Sequence, residues 1–428
     1  MADLTVNFAG IELKNPFIVS SGPCTNCLIK IEKAEKNGFS GVVTKLALPV
    51  GSRRLGSQDP SYSFDNSRWT VIADNTRKDI NLNQPRGKGV KDADPRLLVP
   101  QVIKLIKAAK KKTDLVIIAN MEGPTNYGEG IEEWGKIATA FEEAGADMIE
   151  LNTARHITKY KKGIGEIPEL FGEIVKVVKK SVSIPVIGKM PCQENDVLKA
   201  FTACGIDGFS GPHGGMNVRS PLCTPPFIDI YNDGKDLAIG LLKGQGHHLV
   251  PQSVRQPQRT LTNWWASVVY QTVNLPILSV GGFETWQHVV EAIMWGATAV
   301  GFQTIIMKKG FEVLEDMIKG FEAYMDEQGY SNLNDFRGTA LKYVTDEPIE
   351  YEPLAAKINE EKCDGCKQCT RIGHCIAITF SSQKKKASVD PVKCVSCAWC
   401  LWKCPRNAIF MVSYPKPRLI DEYLLSED

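Results

Sequence analysis

Residues 276–302 read PILSVGGFETWQHVVEAIMWGATAVGF and contain a complete strand–helix–strand unit. An apolar run at 276–281 ends in two glycines, and a second apolar run follows at 298–302. Between them, Trp286, Val289 and Ile293 recur at the helical period, and Gly296 ends the helix. Two buried runs joined by a helix predict neighbouring parallel strands, because a parallel connection needs a long crossover.

The same alternation fills the chain upstream of this unit. Helical periods run from Leu98 to Ala109, from Ile131 to Phe141 and from Leu170 to Val177. Together with the two runs above, eight strand–helix units over roughly 300 residues predict an α/β fold, a TIM (β/α)8 barrel. The six further runs of strand length lie at 16–21, 41–46, 114–120, 147–152, 185–190 and 207–211.

The C-terminal ends of the strands carry the site candidates, because barrels of this kind place their chemistry there. A strand-end asparagine is sometimes only the cap of the following helix, so that alternative stays open. Two insertions, 47–95 and 212–261, fall on the same face and are candidates for a lid. The polar residues and glycines at the strand ends are Ser20, Ser21, Lys45, Asn120, Asn152, Lys189, His213, Gly281, Gly282 and Thr304.

Two cysteine runs dominate the C-terminal quarter, which holds eight of the thirteen cysteines. This pattern is that of a two-cluster ferredoxin, in which the fourth cysteine of each run ligates the other 4Fe-4S cluster. One cluster is therefore expected on Cys363, Cys366, Cys369 and Cys404, and the other on Cys394, Cys397, Cys400 and Cys375. An α+β ferredoxin-like domain at 346–413 is predicted to follow a barrel at 1–345, with a tail at 414–428.

The first run departs from the usual spacing. Five residues, 370–374, precede its fourth cysteine where three are common, and Ile376 stands where proline is common. A pair of zinc knuckles is the alternative, since zinc also binds four cysteines from Cys-x-x-Cys pairs. The lysines at 384–386 lie between two apolar segments, 376–380 and 387–389, and predict the tip of a hairpin.

Composition limits the remaining classes. The chain is 43% hydrophobic, and its 51 basic and 49 acidic residues leave a formal net charge of +2, which favours neither nucleic acid nor a membrane surface as partner. No leader and no apolar run of membrane length is present in the sequence, so a soluble, cytoplasmic protein is expected. Many cysteines in such a chain indicate metal ligands or reactive thiols rather than disulfides.

Several segments together resemble the dihydroorotate/dihydropyrimidine dehydrogenase family. They are Asn15-Pro16, Ser20-Ser21-Gly22, Val43-Thr44-Lys45, the segment from Gly145-Ala146-Asp147 to Glu150-Leu151-Asn152, the segment from Ile184-Pro185 to Lys189, and Ser279 to Gly282. The resemblance implies an FMN-binding barrel. It also implies that the ferredoxin-like module relays electrons to a partner, such as a flavin-containing NAD(P)H oxidoreductase subunit.

The resemblance also implies roles for individual residues. Ser20, Ser21 and Lys45 are expected at the FMN, with Lys189 at the N1/O2 edge of its ring. Asn120 and Asn152 are expected to line both the ring and the substrate. The FMN phosphate is expected at Gly281, Gly282, Gln303 and Thr304.

Two departures bear on the substrate. Where the family has an Asn-x-x-Cys or Asn-x-x-Ser element, this chain has Arg155, a poor general acid but a good clamp for an anion. His156 and Cys192 are then the candidates for proton transfer. The family's pyrimidine-reading Asn-Thr pair after the sixth strand is replaced by the segment from Ser210 to Gly215. Uracil is therefore doubtful as the substrate, and His213 is the expected substrate contact.

The sequence thus predicts an oxidoreductase that transfers a hydride between FMN and a C=C or C=N bond of a small cyclic substrate, an anion among the candidates. The alternatives are a non-catalytic electron-transfer subunit and a barrel that uses Lys45 or Lys189 as a Schiff base.

No G-x-G-x-x-G element follows a strand, so NAD(H) is expected to bind a partner rather than this chain. A ferredoxin is the other candidate partner, and a homodimer or a heterotetramer is the expected assembly. His247, His248, His288 and His374 are expected to be surface or packed residues. Cys24 and Cys27 are expected to be buried small residues, with a redox pair or a metal half-site near the flavin as the alternatives.

Overall fold

The computed structural model describes residues 2–49, 97–124, 130–153, 168–190, 195–212, 228–229, 235–236, 257–343 and 354–414. The chain divides into two compact units, one formed by Met1–Pro225 with Gln252–Leu341 and the other by Pro226–Pro251 with Lys342–Asp428. The domain limits expected from the sequence stay a prediction, because residues 344–353 around the first limit lie outside the described ranges.

The strands are short, as expected for a barrel. In the described ranges they are β1 (Val6–Phe8), β2 (Ile11–Leu13), β3 (Phe17–Val19), β4 (Gly41–Val43), β5 (Ala47–Leu48), β6 (Leu97–Leu98), β7 (Val116–Met121), β8 (Met148–Asn152), β9 (Val186–Lys189), β10 (Gly208–Gly211), β11 (Ile228–Asp229), β12 (Lys235–Asp236), β13 (Ile277–Val280), β14 (Ala299–Phe302), β15 (Leu354–Ile358), β16 (Ile378–Ser381), β17 (Lys386–Val389) and β18 (Ile409–Ser413).

Helices follow most of these strands. In the same ranges they are α1 (Leu28–Lys36), α2 (Val99–Lys112), α3 (Ile131–Glu143), α4 (Pro168–Ser181), α5 (Asn195–Ala203), α6 (Pro257–Val273), α7 (Trp286–Met294), α8 (Thr304–Lys309), α9 (Val313–Gln328) and α10 (Trp399–Lys403).

The first unit contains a closed ring of eight parallel strands. Their order is β4-β3-β14-β13-β10-β9-β8-β7, and β7 pairs again with β4 to close the ring. The closure places Val42 opposite Ile117. The eight strands coincide with the eight apolar runs of the sequence, and the predicted TIM barrel is confirmed.

Burial explains why these strands read as continuous apolar runs. All residues of β3, β4, β9, β10 and β14 are buried, because the strands of a parallel barrel are covered on both faces. The helices are amphipathic instead. In α2, Val102, Ile106 and Ala109 are buried, while the lysines at 110–112 occupy the last turn, where the helix dipole favours cations.

The second unit contains an α+β ferredoxin-like domain. Strands β15 and β18 form an antiparallel pair from Leu354↔Ser413 to Ile358↔Ile409. Strands β16 and β17 form a hairpin with Lys384 and Lys385 in its turn, as the sequence predicts. A 3-10 turn at Cys369–Arg371 and the short helix α10 complete the domain.

The described helices include none with the length and apolar character needed to cross a bilayer.

Candidate functional site

A buried carboxylate, Glu150 on β8, organises the polar residues at the strand ends. Its Oε2 accepts hydrogen bonds from Asn120 Nδ2 on β7 and, at 3.2 Å, from Lys189 Nζ on β9. Its Oε1 accepts one from Ser210 Oγ on β10 at 2.6 Å. Four adjacent strands therefore contribute one side chain each to a single network.

Strand register explains why these four side chains meet. Asn120 lies opposite Glu150, and Lys189 lies opposite both Asn152 and Ser210. The network is buried, because Glu150 is 1% exposed and the Lys189–Glu150 ion pair is almost fully enclosed. A buried charge needs a partner of opposite sign, and here each member of the pair supplies it to the other.

Two buried oxygens at this end of the barrel have no partner among the described residues. They are Asn120 Oδ1 and Ser279 Oγ on β13. Asn120 itself is held in place, because its backbone N–H donates to Thr44 Oγ1 at 3.0 Å and its Nδ2 donates to Glu150. Asn120 is thus not a helix cap, and its amide oxygen is available to a bound group.

The other predicted strand-end residues fall into two classes. Ser20 and Asn152 are buried, and Ser20 Oγ donates to the Phe302 carbonyl at 3.2 Å. Ser21 and Lys45 are half-buried, as expected of residues that line an open site. Lys45 follows β4, and its backbone N–H donates to the Thr25 carbonyl at 3.3 Å.

The predicted phosphate residues lie at the ends of β13 and β14. Gly281 and Gly282 have φ values of +118° and +86°, which favour glycine. A Cβ at Gly282 would also lie 2.5 Å from the backbone nitrogen of Arg259, so this glycine lets α6 approach the strand end. Thr304 begins α8.

Gln303 has a structural role that sequence reasoning missed. Its side-chain amide, oriented to satisfy its neighbours, donates to the Ser20 carbonyl at 2.8 Å and accepts from the Cys24 backbone N–H at 2.8 Å. Its side chain therefore braces the loop that follows β3.

A second buried ion pair stands behind Gly282. Arg259 on α6 is 2% exposed and its Nε lies 3.0 Å from Glu291 Oε2 on α7. Burial lowers the pKa of the Arg259 guanidinium and raises the pKa of the Glu291 carboxyl. Burial, followed by the charge of Arg259, lowers the pKa of His288 to about 3. His288 is thus a packed, neutral histidine, as expected.

The eight cysteines of the second unit surround two cavities. One is lined by Cys363, Cys366, Cys369 and Cys404, and the other by Cys375, Cys394, Cys397 and Cys400. The fourth cysteine of each run therefore stands with the three cysteines of the opposite run. This exchange is the arrangement that the sequence predicts for two cubane clusters.

The backbone of the two runs repeats around the middle cysteine. Gly365 and Lys367 flank Cys366 with φ values of +72° and +61°, and Ser396 and Ala398 flank Cys397 with +56° and +58°. Left-handed residues in such turns direct backbone N–H groups inward, as in the anion-binding nests of iron–sulfur sites. Side chains in this conformation are strained, so the repetition indicates a shared purpose.

Comparison with known proteins identifies the barrel. Residues 98–325, more than half of the chain, match the dihydroorotate dehydrogenase family. This chain belongs to that family. Its members are flavin-dependent oxidoreductases that act on CH–CH groups of dihydro-pyrimidine rings, so the chain is an oxidoreductase by membership.

Curated relatives of two kinds are similar to this member of the dihydroorotate dehydrogenase family. The "NAD-dependent dihydropyrimidine dehydrogenase subunit PreA" of Escherichia coli (strain K12) is 26% identical over 92% of this chain and 95% of the relative. The "Dihydroorotate dehydrogenase B (NAD(+)), catalytic subunit" of Pyrococcus abyssi is 28% identical over 79% of this chain and 99% of the relative. The protein of the same name from Methanothermobacter thermautotrophicus is 26% identical over 79% of this chain.

Four of the site residues predicted for this family member lie outside the described residues. They are Arg155, His156, Cys192 and His213. Most of the two candidate lid segments and the histidines His247 and His248 also lie there. Their roles stay predictions.

The donor sets suit clusters better than single zinc ions. Four thiolates around one zinc ion stand within van der Waals contact of each other, because each Zn–S bond is about 2.3 Å long. In the described part of the chain, no three His, Cys, Asp or Glu side chains gather closely enough for a single metal ion. The cysteines instead surround cavities, as ligands of a larger inorganic body do.

Two of these thiols have a raised pKa. Burial and then the neighbours Cys394, Cys397 and Cys375 raise the pKa of Cys400 to about 12. Burial and the nearby thiols likewise raise the pKa of Cys369. Ligation by these two cysteines therefore needs the positive charge of a bound metal ion, which deprotonates a coordinating thiol outright.

His374 is exposed, as expected of a surface histidine. Sequence reasoning missed one contact, because its Nε2 lies 3.2 Å from Cys397 Sγ. Its position directly before Cys375 is the signal in the sequence.

Cys24 is buried, and Cys27 is half-buried directly before α1. No disulfide joins any of the described cysteines.

Proposed function

We propose that this chain is an FMN- and iron–sulfur-dependent dehydrogenase subunit that transfers a hydride between FMN and a C=C or C=N bond of a small cyclic substrate. The observation that carries the proposal is the buried network on Glu150, which presents one fixed ammonium and one unpaired amide oxygen at the barrel's strand ends. When bound, FMN supplies hydride transfer and the two 4Fe-4S clusters supply one-electron relay.

The residues present fit the flavin ring. Lys189 has three N–H donors, of which Glu150 takes one, so the ammonium can also donate to the N1/O2 edge of a flavin ring. Glu150 supplies the opposite charge that a buried ammonium needs, and the hydrogen bond between them fixes the direction of the Lys189 side chain. Asn120 Oδ1 can accept a hydrogen bond from a ring N–H, and no described residue competes for it.

The flavin tail has matching candidates at the far strand ends. Gly281 and Gly282 lack side chains and offer backbone N–H groups, and Thr304 offers a hydroxyl. Ser20, Ser21, Lys45, Asn152 and Gln303 complete the proposed FMN set, with Gln303 acting through the loop that it braces.

The substrate differs from uracil in this proposal. Ser210 stands where the family has its pyrimidine-reading amide, and its hydroxyl donates a hydrogen bond to Glu150 Oε1 at 2.6 Å. A hydroxyl has a single proton, and Glu150 accepts it here, so Ser210 cannot also donate to a substrate edge. Arg155 instead supports an anionic group on the ring, with His213 as a second contact and His156 or Cys192 as the proton donor.

The electron partner is proposed to be a flavin-containing NAD(P)H oxidoreductase subunit, with a ferredoxin as the second candidate. The names of the relatives support a partner, since one is an NAD-dependent dehydrogenase "subunit" and the others are each a "catalytic subunit".

The first test is anaerobic purification followed by flavin and iron analysis. One FMN and about eight irons per chain are expected, from four irons in each of two cubanes. The reduced flavin is then mixed with orotate, uracil, purine bases, cyclic enones and unsaturated acids, and its reoxidation is followed by absorbance. Protein without flavin or iron would contradict the proposal, and flavin that responds to none of these compounds would favour an electron-relay subunit instead.

The second test separates an anionic from a neutral substrate. Arg155→Met is expected to raise KM for an anionic substrate roughly tenfold to a hundredfold, as the loss of a charged hydrogen bond does. Its effect on a neutral analogue should be small. Lys110→Met, which changes a partly exposed cation on α2, is the control. Equal effects on both substrates would remove Arg155 from anion binding.

The third test concerns the proton donor. His156→Ala should lower kcat about a hundredfold if this imidazole transfers the proton, whereas Cys192→Ala should then be close to wild type. The reverse pattern would assign the role to Cys192.

A further inference from the structure

The two cysteine cavities differ in the hydrogen bonds that their cysteine sulfurs receive. Each set of four cysteines receives one backbone hydrogen bond at 3.3 Å, from Ala356 N–H to Cys394 Sγ in one set and from Ala408 N–H to Cys404 Sγ in the other. The set with Cys394 also has His374, whose Nε2 lies 3.2 Å from Cys397 Sγ. Among the described residues, the set with Cys404 has no imidazole in the corresponding place.

The unusual spacing of the first cysteine run produces this contact. The five residues 370–374 contain a 3-10 turn at Cys369–Arg371 and then Ile372, which is buried in the core of the domain. Cys375 N–H donates to the Ile372 carbonyl at 3.0 Å, so the chain turns back between these two residues. His374 lies on that turn and reaches Cys397 of the opposite run.

Cluster chemistry fixes the direction of the hydrogen bond. A cysteine that ligates iron is a thiolate and has no proton to donate. The imidazole must then be the donor through Nε2–H, which is present in the neutral tautomer protonated at Nε2 and in the imidazolium.

A hydrogen bond to a cluster sulfur is expected to change the reduction potential. Reduction adds one electron to the cluster, and part of its negative charge falls on the cysteine sulfurs. A donor stabilises the more negative state more strongly, so it raises the potential. No proton is transferred in this step.

We propose that His374 is a positioning residue that donates to Cys397 Sγ and so raises the reduction potential of the cluster held by Cys375, Cys394, Cys397 and Cys400. The inference rests on the two-cluster part of the proposed function.

The test uses the full chain, with its clusters intact, in a reductive titration followed by electron paramagnetic resonance. His374→Phe keeps a planar ring and removes the N–H donor, whereas His374→Gln keeps an N–H donor of similar reach. Lys403→Gln is the matched control, because Lys403 is exposed and stands directly before Cys404 as His374 stands before Cys375.

The expected result is a lower potential for one of the two clusters in His374→Phe. At a fixed potential the reduced-to-oxidised ratio of that cluster should fall at least threefold, or about 28 mV at 59 mV per tenfold for one electron. His374→Gln should restore most of the difference, and Lys403→Gln should leave both clusters unchanged.

Three results would overturn the inference: unchanged potentials in His374→Phe, equal shifts of both clusters, or about half of the wild-type iron content. The last would assign His374 to holding the cluster. Wild-type protein without clusters would instead remove the two-cluster part of the proposed function, so the two failures are distinguishable.

Discussion

The Lys189–Glu150 pair offers the sharpest test of the strand-end network. Lys189→Met keeps the length and apolar stem of the side chain but removes the ammonium. The Glu150 carboxylate then remains buried at 2% side-chain exposure with only Asn120 and Ser210 as donors. Removal of one partner of a buried ion pair costs about 3–5 kcal/mol, because the remaining charge is uncompensated.

Two hydrogen bonds to Glu150 survive this change, so we place the loss of unfolding free energy at the lower end, about 3 kcal/mol. For a domain larger than about 200 residues, about 2 °C of Tm accompanies each kcal/mol, which gives a fall of about 6 °C. The assay is calorimetry of flavin-free protein, so that lost cofactor binding does not contribute. The barrel transition is recognised by its larger enthalpy, which scales with residue number.

The double variant Glu150→Gln/Lys189→Met supplies the second half of the test. It removes the uncompensated charge and retains an amide, so about 1.5 kcal/mol should be recovered relative to Lys189→Met alone. Lys110→Met is the control, since the Lys110–Asp147 pair is partly exposed and should contribute less than about 1 kcal/mol. A Lys189→Met protein that melts like this control, or a double variant that melts no higher than the single one, would refute the reasoning.

Three further predictions follow from the same structure. Cys366→Ala and Cys397→Ala lie in different cavities, so each should lower iron from about eight to about four per chain, and a loss of all iron in both would contradict two independent clusters. Gly282→Ala should lower Tm by more than Gly10→Ala. Both glycines have φ near +87°, but only at Gly282 would a Cβ meet another backbone atom, the Arg259 nitrogen at 2.5 Å. Equal losses of Tm would disprove this close contact. His288 has a folded pKa of about 3, below its ordinary value, so the unfolded chain binds the proton first and the free energy of unfolding falls as pH drops through 6.5. Chemical denaturation should show that about 2 kcal/mol of this free energy is lost between pH 8 and pH 5. His288→Leu should remove this dependence on pH.

Much of the barrel was predictable because its strands are buried on both faces. Burial on both faces forces uninterrupted apolar runs, and runs such as 276–281 and 298–302 can be read directly from the sequence. The exchange of Cys375 and Cys404 between the two cysteine sets was predictable for a similar reason. Ligand chemistry requires fixed spacings along the chain, so the spacing itself reports the site.

The sequence by itself thus determined which residues stand at the strand ends and which cysteines share a cavity. Only the tertiary structure decided what those residues do to each other. Glu150 became the centre of a network because barrel register sets it beside Asn120, Lys189 and Ser210, which are distant in sequence. Gln303 proved to be a brace and His374 a neighbour of Cys397 for the same reason. Hydrogen bonds form over about 3 Å in space, and no local pattern encodes a partner that arrives from another strand or loop.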